Sequence, residues 1–187
     1  MNFANKISTF RILSVPFFVG SLMYYSPERE YYRFVALTIF IVGVISDAVD
    51  GYIARRAKQV SKAGLILDPL GDKLLLMSAF ICLHLITKFP VRFPLWVTLT
   101  VVSRDFIILL GVTVVYMVKG TINVLPTRWG KLTTTFQMSA VIALLIKLPA
   151  APLFWWPAVF FTVISGIDYI MRGFKVLYAV DNHRHNR

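Results

Sequence analysis

Six long apolar runs, near residues 12–25, 34–54, 69–87, 94–118, 132–149 and 152–171, alternate along the chain with short polar connections. Each approaches or exceeds the roughly 20 residues that a helix needs to cross a bilayer. The pattern predicts an all-α integral membrane protein of six transmembrane helices, with residues 1–187 forming one membrane domain. The first run is short, and Met1 to Arg11 is expected at the interface before it. No small-residue cleavage site follows that run and five more hydrophobic runs do, so it is expected to stay as a helix of the mature protein.

Composition strengthens this picture. A hydrophobic content of 57% and a mean hydropathy of +0.69 leave too little polar surface to cover a soluble core. The single cysteine, Cys82, lies inside an apolar run and is expected to pack there. A net charge of +11 in so apolar a chain fits an anionic membrane surface, not nucleic acid. No Gly-rich phosphate loop, zinc-spaced Cys and His set or interleaved basic and aromatic module is present.

The basic residues also set an orientation. With the N terminus inside, the cytoplasmic side holds Lys6, Arg11, Arg55, Arg56, Lys58, Lys62, Lys119, Arg128, Lys131, Arg172, Lys175, Arg184 and Arg187. Only Arg29, Arg33, Lys88, Arg92 and Lys147 are left outside, thirteen against five. The expected location is therefore the cell (inner) membrane, multi-pass, with both termini cytoplasmic.

One stretch breaks the apolar pattern. SDAVDGYIARRAKQVSKAGLILDPLGDK, Ser46 to Lys73, places four aspartates between two apolar runs. A charge at the bilayer centre costs roughly 2.5 to 3.5 kcal/mol on insertion scales, so four unpaired aspartates oppose insertion by about 10 kcal/mol. Asp47 and Asp50, three apart, share one face if the preceding run continues as a helix, and Gly51 and Ala54 leave that face bare of bulk. Asp68 and Asp72 are four apart at the start of the next run, where Pro69 suits a first helical turn and Asp68 a cap. Four carboxylates balance two divalent cations, and hard oxygen ligands suit Mg²⁺ or Mn²⁺ completed by water and substrate phosphates. On the chosen topology this cluster faces the cytoplasm.

Other polar residues carry two readings each. Arg104 and Asp105 lie mid-span in the fourth run, where neighbours in sequence do not face each other on a helix, so each is expected to need its own partner. They are either structural ion pairs with other helices, or Arg104 points into a cavity as the anchor of an anionic acceptor. Lys131 is a second positive group for that cavity or a boundary lysine, and Arg11 an interfacial anchor or a phosphate contact. Asp168 and Arg172 are expected to pair along one helix, His84 to be a satisfied packing residue, and His183 and His185 to belong to a solvated tail. Tyr24, Tyr25, Tyr31, Tyr32, Trp96, Trp129, Trp155 and Trp156 fit interfacial belts.

Asp47, Asp50, Gly51, Ala54, Arg55, Gly64, Asp68 and Asp72 fit, position by position, the signature DxxDGxxAR, eight residues, GxxxDxxxD. In this the chain resembles the CDP-alcohol phosphatidyltransferase family. The resemblance implies a six-helix homodimeric membrane enzyme with two divalent cations. It implies Asp47, Asp50 and Asp68 as metal ligands, and Asp72 as a ligand of the second metal and the general base. It also implies that Gly51, Ala54, Arg55 and Gly64, with Asp47, hold the CDP group of CDP-diacylglycerol. NKISTFRILSVPFF and GKLTTTFQM look like bacterial members whose acceptor is sn-glycerol 3-phosphate. Those members commonly carry a lysine two residues beyond the one matching Lys131, where this chain has Thr133. SRDFIILLG looks more like eukaryote-type members that use phosphatidylglycerol, and an inositol phosphate is a third acceptor within the family. A cation transporter is the reading from another class. It would need polar groups along the whole span, whereas the acids here gather at one side.

Overall fold

The computed structural model describes residues 3–57, 64–119 and 128–185. Six helices account for nearly all of them: α1 (Phe3–Tyr24), α2 (Tyr31–Ala57), α3 (Gly64–Leu85), α4 (Leu95–Lys119), α5 (Arg128–Leu145) and α6 (Ala151–His185). Among the described residues there is no strand. α6 carries a stretch, Ala151–Gly173, long and apolar enough by itself to cross a membrane, and shorter apolar stretches occupy Phe10–Tyr24, Tyr31–Ser46 and Lys73–Leu85.

Three boundaries depart from the sequence pattern. α1 begins at Phe3, so the segment expected at the interface is its first turns, and Arg11 is 2% exposed inside the bundle. The polar residues Asn5, Lys6, Ser8 and Thr9 hid that helical start from a reading based on apolar runs. α3 begins at Gly64, one turn before Asp68, so Asp68 is not a cap and Pro69 lies in the second turn. A proline there gives up the bond to the carbonyl of Leu65, a loss confined to one turn of a 22-residue helix. α6 runs 35 residues, well past the apolar run that marked it, because its basic end continues the same helix.

α1 packs on α2 and α3, α5 on α6, and α4 bridges α3 and α6. Their shared core includes Phe18, Leu22, Phe40, Leu76, Phe80 and Leu144. Tyr25, expected in an interfacial belt, is instead buried there and stacks on Phe89 at 4.4 Å. Tyr24 and Trp156, by contrast, are well exposed, and Trp96 with Trp156 forms a ring pair at 5.6 Å. Cys82 packs against the core, and the His84 Nδ1–H donates to the Phe93 carbonyl at 2.9 Å, so both are packing residues as the sequence suggested. Arg172 Nε donates to Asp168 Oδ1 at 3.0 Å along α6, the expected pair.

The end of α5 is tied to the start of α2. Lys147 stands in the left-handed region (φ 56°), Leu148 N–H reaches the Ala143 carbonyl and Lys147 N–H the Leu144 carbonyl, both at 2.9 Å. This is the closing pattern usually given to glycine. The Lys147 ammonium donates to Glu30, Arg33 Nε donates to Glu30 at 2.7 Å, and Arg33 Nη1 donates to the Leu145 carbonyl at 2.7 Å. The hydrogen bonds from Lys147 and then Arg33 hold the Glu30 carboxyl below its ordinary range.

Candidate active site

The acidic stretch divides between two helices. Asp47, Asp50, Gly51, Ala54 and Arg55 lie in the last turns of α2, and Gly64, Asp68 and Asp72 in the first turns of α3. Residues 58–63 between them, and all side chains from 47 to 72, lie outside the described residues. The helix register below them is set by a close contact. A Cβ added to Gly43 would stand 2.5 Å from Leu75 Cδ2, so the Leu75 side chain packs directly over the bare backbone of α2 at position 43.

That contact orients the motif. Positions 47, 50 and 54 follow Gly43 by 4, 7 and 11 residues and continue its stripe along α2; positions 72, 68 and 64 precede Leu75 by 3, 7 and 11 and continue its stripe along α3. The two stripes face each other at Gly43 and Leu75. α2 and α3 run antiparallel with the same rise of about 1.5 Å per residue, so position 47 falls level with 71 and 72, 50 with 68, and 54 with 64. By helical spacing, six of the eight signature positions continue the registers of Gly43 and Leu75, with Ala54 and Gly64 toward the connection. An oxygen-only donor set drawn from both stripes fits a pair of hard divalent cations. Among the described residues, which leave out the four aspartate side chains, no group of three His, Cys, Asp or Glu side chains is placed to hold a metal.

Arg11 stands one turn below. It lines a small cavity with Phe40, Gly43, Val44, Leu75, Leu76 and Met138. The residue expected as an interfacial anchor is therefore at the floor of the two stripes, because α1 packs into the angle between α2 and α3.

Arg104 and Asp105 form the second polar centre. Asp105 is fully buried, and its Oδ1 accepts from Arg104 Nη1 at 2.7 Å and from Lys73 Nζ at 2.6 Å. The expectation that adjacent residues on one helix need separate partners is corrected: the long arginine side chain curls back to reach its neighbour. Arg104 Nη2 continues to Ser165 Oγ on α6 at 2.5 Å, so the cluster ties α3, α4 and α6. Lys73 and Ser165 were not singled out in the sequence. The available signal was that a mid-span aspartate requires a cation on a neighbouring helix.

Arg104 also lines a groove of about 410 Å³ between α4 and α6. Thr100, Ser103 and Thr162 add polar groups, and Leu99, Ile107, Val163, Ile167 and Ile170 give it apolar walls. Lys131 does not line this groove; it is exposed in the first turn of α5. Thr133, where a second lysine was considered, is fully buried, and its hydroxyl is shared between the Trp129 carbonyl at 2.9 Å and the Phe161 carbonyl of α6 at 2.8 Å. One turn on, Gln137 Nε2 donates to Thr162 Oγ1 at 2.9 Å. Position 133 locks α5 onto α6.

A helical bundle whose second and third helices carry the complete signature is that of a CDP-alcohol phosphatidyltransferase. The chain belongs to the CDP-alcohol phosphatidyltransferase family, which residues 1–164 match. It is 34% identical over 193 residues to the CDP-diacylglycerol–glycerol-3-phosphate 3-phosphatidyltransferase of Bacillus subtilis, covering 94% of this chain and 97% of that one. It is 33% identical over 180 residues to a Mycobacterium tuberculosis protein named "Probable phosphatidylglycerophosphate synthase", covering 93% and 82%. To the Escherichia coli CDP-diacylglycerol–glycerol-3-phosphate 3-phosphatidyltransferase it is 35% identical over 149 residues, covering 77% and 76%.

Proposed function

We propose that this protein transfers the phosphatidyl group of CDP-diacylglycerol to a hydroxyl of sn-glycerol 3-phosphate, giving phosphatidylglycerol phosphate and CMP in phospholipid synthesis. The observation that carries it is the complete eight-residue signature, divided between the end of α2 and the start of α3. The names of relatives aligned over most of their length support the acceptor.

In this reading Asp47, Asp50, Asp68 and Asp72 hold two divalent cations, Mg²⁺ or Mn²⁺. Cations held there would supply positive charge against the pyrophosphate of the donor. Gly51, Ala54 and Gly64 give the CDP group room against the backbone, Asp47 lies beside it, and Arg55 faces its phosphates. Asp72 takes the proton of the attacking hydroxyl as that oxygen joins the phosphatidyl phosphorus and CMP leaves with the electron pair. Arg104 anchors the acceptor phosphate; Lys131, exposed in the first turn of α5, and Arg11, in the cavity at Gly43 and Leu75, lie outside the groove that Arg104 lines. Six helices span the cell membrane as a homodimer, with the site and both termini cytoplasmic.

The groove at Arg104 favours a second reading. Its apolar walls suit a lipid acceptor, phosphatidylglycerol, and the product would then be cardiolipin. CMP release from CDP-diacylglycerol by purified protein, with Mn²⁺ and each acceptor in turn, decides between them. We expect dependence on glycerol 3-phosphate and at least a 100-fold loss in Asp72→Asn, in the range for a positioned base. Cardiolipin formation from phosphatidylglycerol would replace the acceptor, dependence on an inositol phosphate would replace it with that alcohol, and no CMP with any acceptor would sink the enzyme reading.

A further inference from the structure

The ion cluster at Asp105 joins three helices, and one of its members follows Asp72 in sequence. Lys73 projects from α3 about 100° around the helix from the stripe of Asp72, and its ammonium is fixed at 2.6 Å to a carboxylate on α4. On the adjoining face Leu75 abuts Gly43 of α2. These two contacts hold α3 from two directions just inside its acidic turns. The cluster holds two cations and one anion, and an Arg104–Asp105 pair alone would already be neutral. Lys73 is therefore not required to balance buried charge. Its geometric effect is to fix the rotation of α3.

The consequence for the site follows from dimensions. A helix with its side chains has a radius of about 5–6 Å, so a 20° rotation carries a side-chain tip about 2 Å. Catalytic groups need to be held within about 0.5 Å and 10–20°, and a misplacement of about 1 Å can cost about 100-fold in rate. We propose that Lys73, through Asp105, is a positioning residue that sets the rotation of α3 and so the placement of Asp68 and Asp72 opposite α2. This rests on the assignment of those two aspartates to the metal site above.

The test compares Lys73→Met and Lys73→Arg with the unaltered enzyme. Mn²⁺ affinity is read by electron paramagnetic resonance without substrates, and CMP release is read with glycerol 3-phosphate. Lys73→Met keeps the neutral Arg104–Asp105 pair and is expected to fold. It should weaken Mn²⁺ binding about tenfold and lower kcat by about 10- to 100-fold, with KM for glycerol 3-phosphate within about threefold. Lys73→Arg, which can still reach Asp105, should restore both within about threefold. If Lys73→Met does not fold, Lys73→Gln is read in its place against the same limits. Mn²⁺ affinity within twofold of the unaltered enzyme in Lys73→Met, or no recovery in Lys73→Arg, overturns the proposal. Asp72→Asn in the same assay separates the two readings: full turnover there removes the base, while the Mn²⁺ comparison of the Lys73 variants still stands.

Discussion

Asp105 shows how unevenly one buried cluster responds to its members. Its carboxylate is the anion shared by Lys73 and Arg104. Removing it leaves two largely buried cations beside each other with no anion between them. Breaking a buried pair by deleting one partner costs about 3–5 kcal/mol. Asp105→Asn should therefore lower stability by about that amount, while Lys73→Met, which leaves one cation and one anion, should lie well below it. Thermal melting of both variants in detergent checks the order, and equal losses would mean that the charges are compensated elsewhere. The sequence marked Arg104 and Asp105 as costly residues that needed partners. It did not mark Lys73, because a lysine near a span boundary is ordinary there, and only α3 packed on α4 turns it inward.

At the scale of elements, the approach of α2 and α3 decides the geometry above it. Gly43 sits one turn before Asp47 and faces Leu75. A small change there tests spacing without touching a signature residue. Gly43→Val must displace the Leu75 side chain below the site, and where that displacement carries α3 with it CMP release should fall by about tenfold, since a shift of about 1 Å is costly to positioned groups. Leu75→Ala in the same chain should recover part of that loss by clearing the space. No loss in Gly43→Val would show that the stripes tolerate a wider spacing. The element pattern itself was largely legible: six apolar runs correspond to six helices, and the fifth begins near Lys131 as its motif suggested. The early starts of α1 and α3 were not. Polar and acidic side chains inside those first turns hide a helix from any reading that follows apolar periodicity.

For the whole molecule, the basic residues predict one orientation. A reporter active only in the cytoplasm, fused after Arg187, should be active, and one inserted in the connection holding Lys88 and Arg92 should be silent. The reverse pattern would place the signature on the side away from the cytoplasm and overturn the proposed orientation. The sequence by itself determined the helical class, the number of apolar runs and the eight-residue signature, because these depend on local composition and fixed spacing along one chain. Tertiary structure alone decided that α2 meets α3 at Gly43 and Leu75, that Arg11 lines the cavity beside them and that Lys73 meets Asp105. It also turned Thr133 into a lock between α5 and α6. Each of those depends on the azimuth at which one helix packs against another, a quantity that spacing within a helix does not contain.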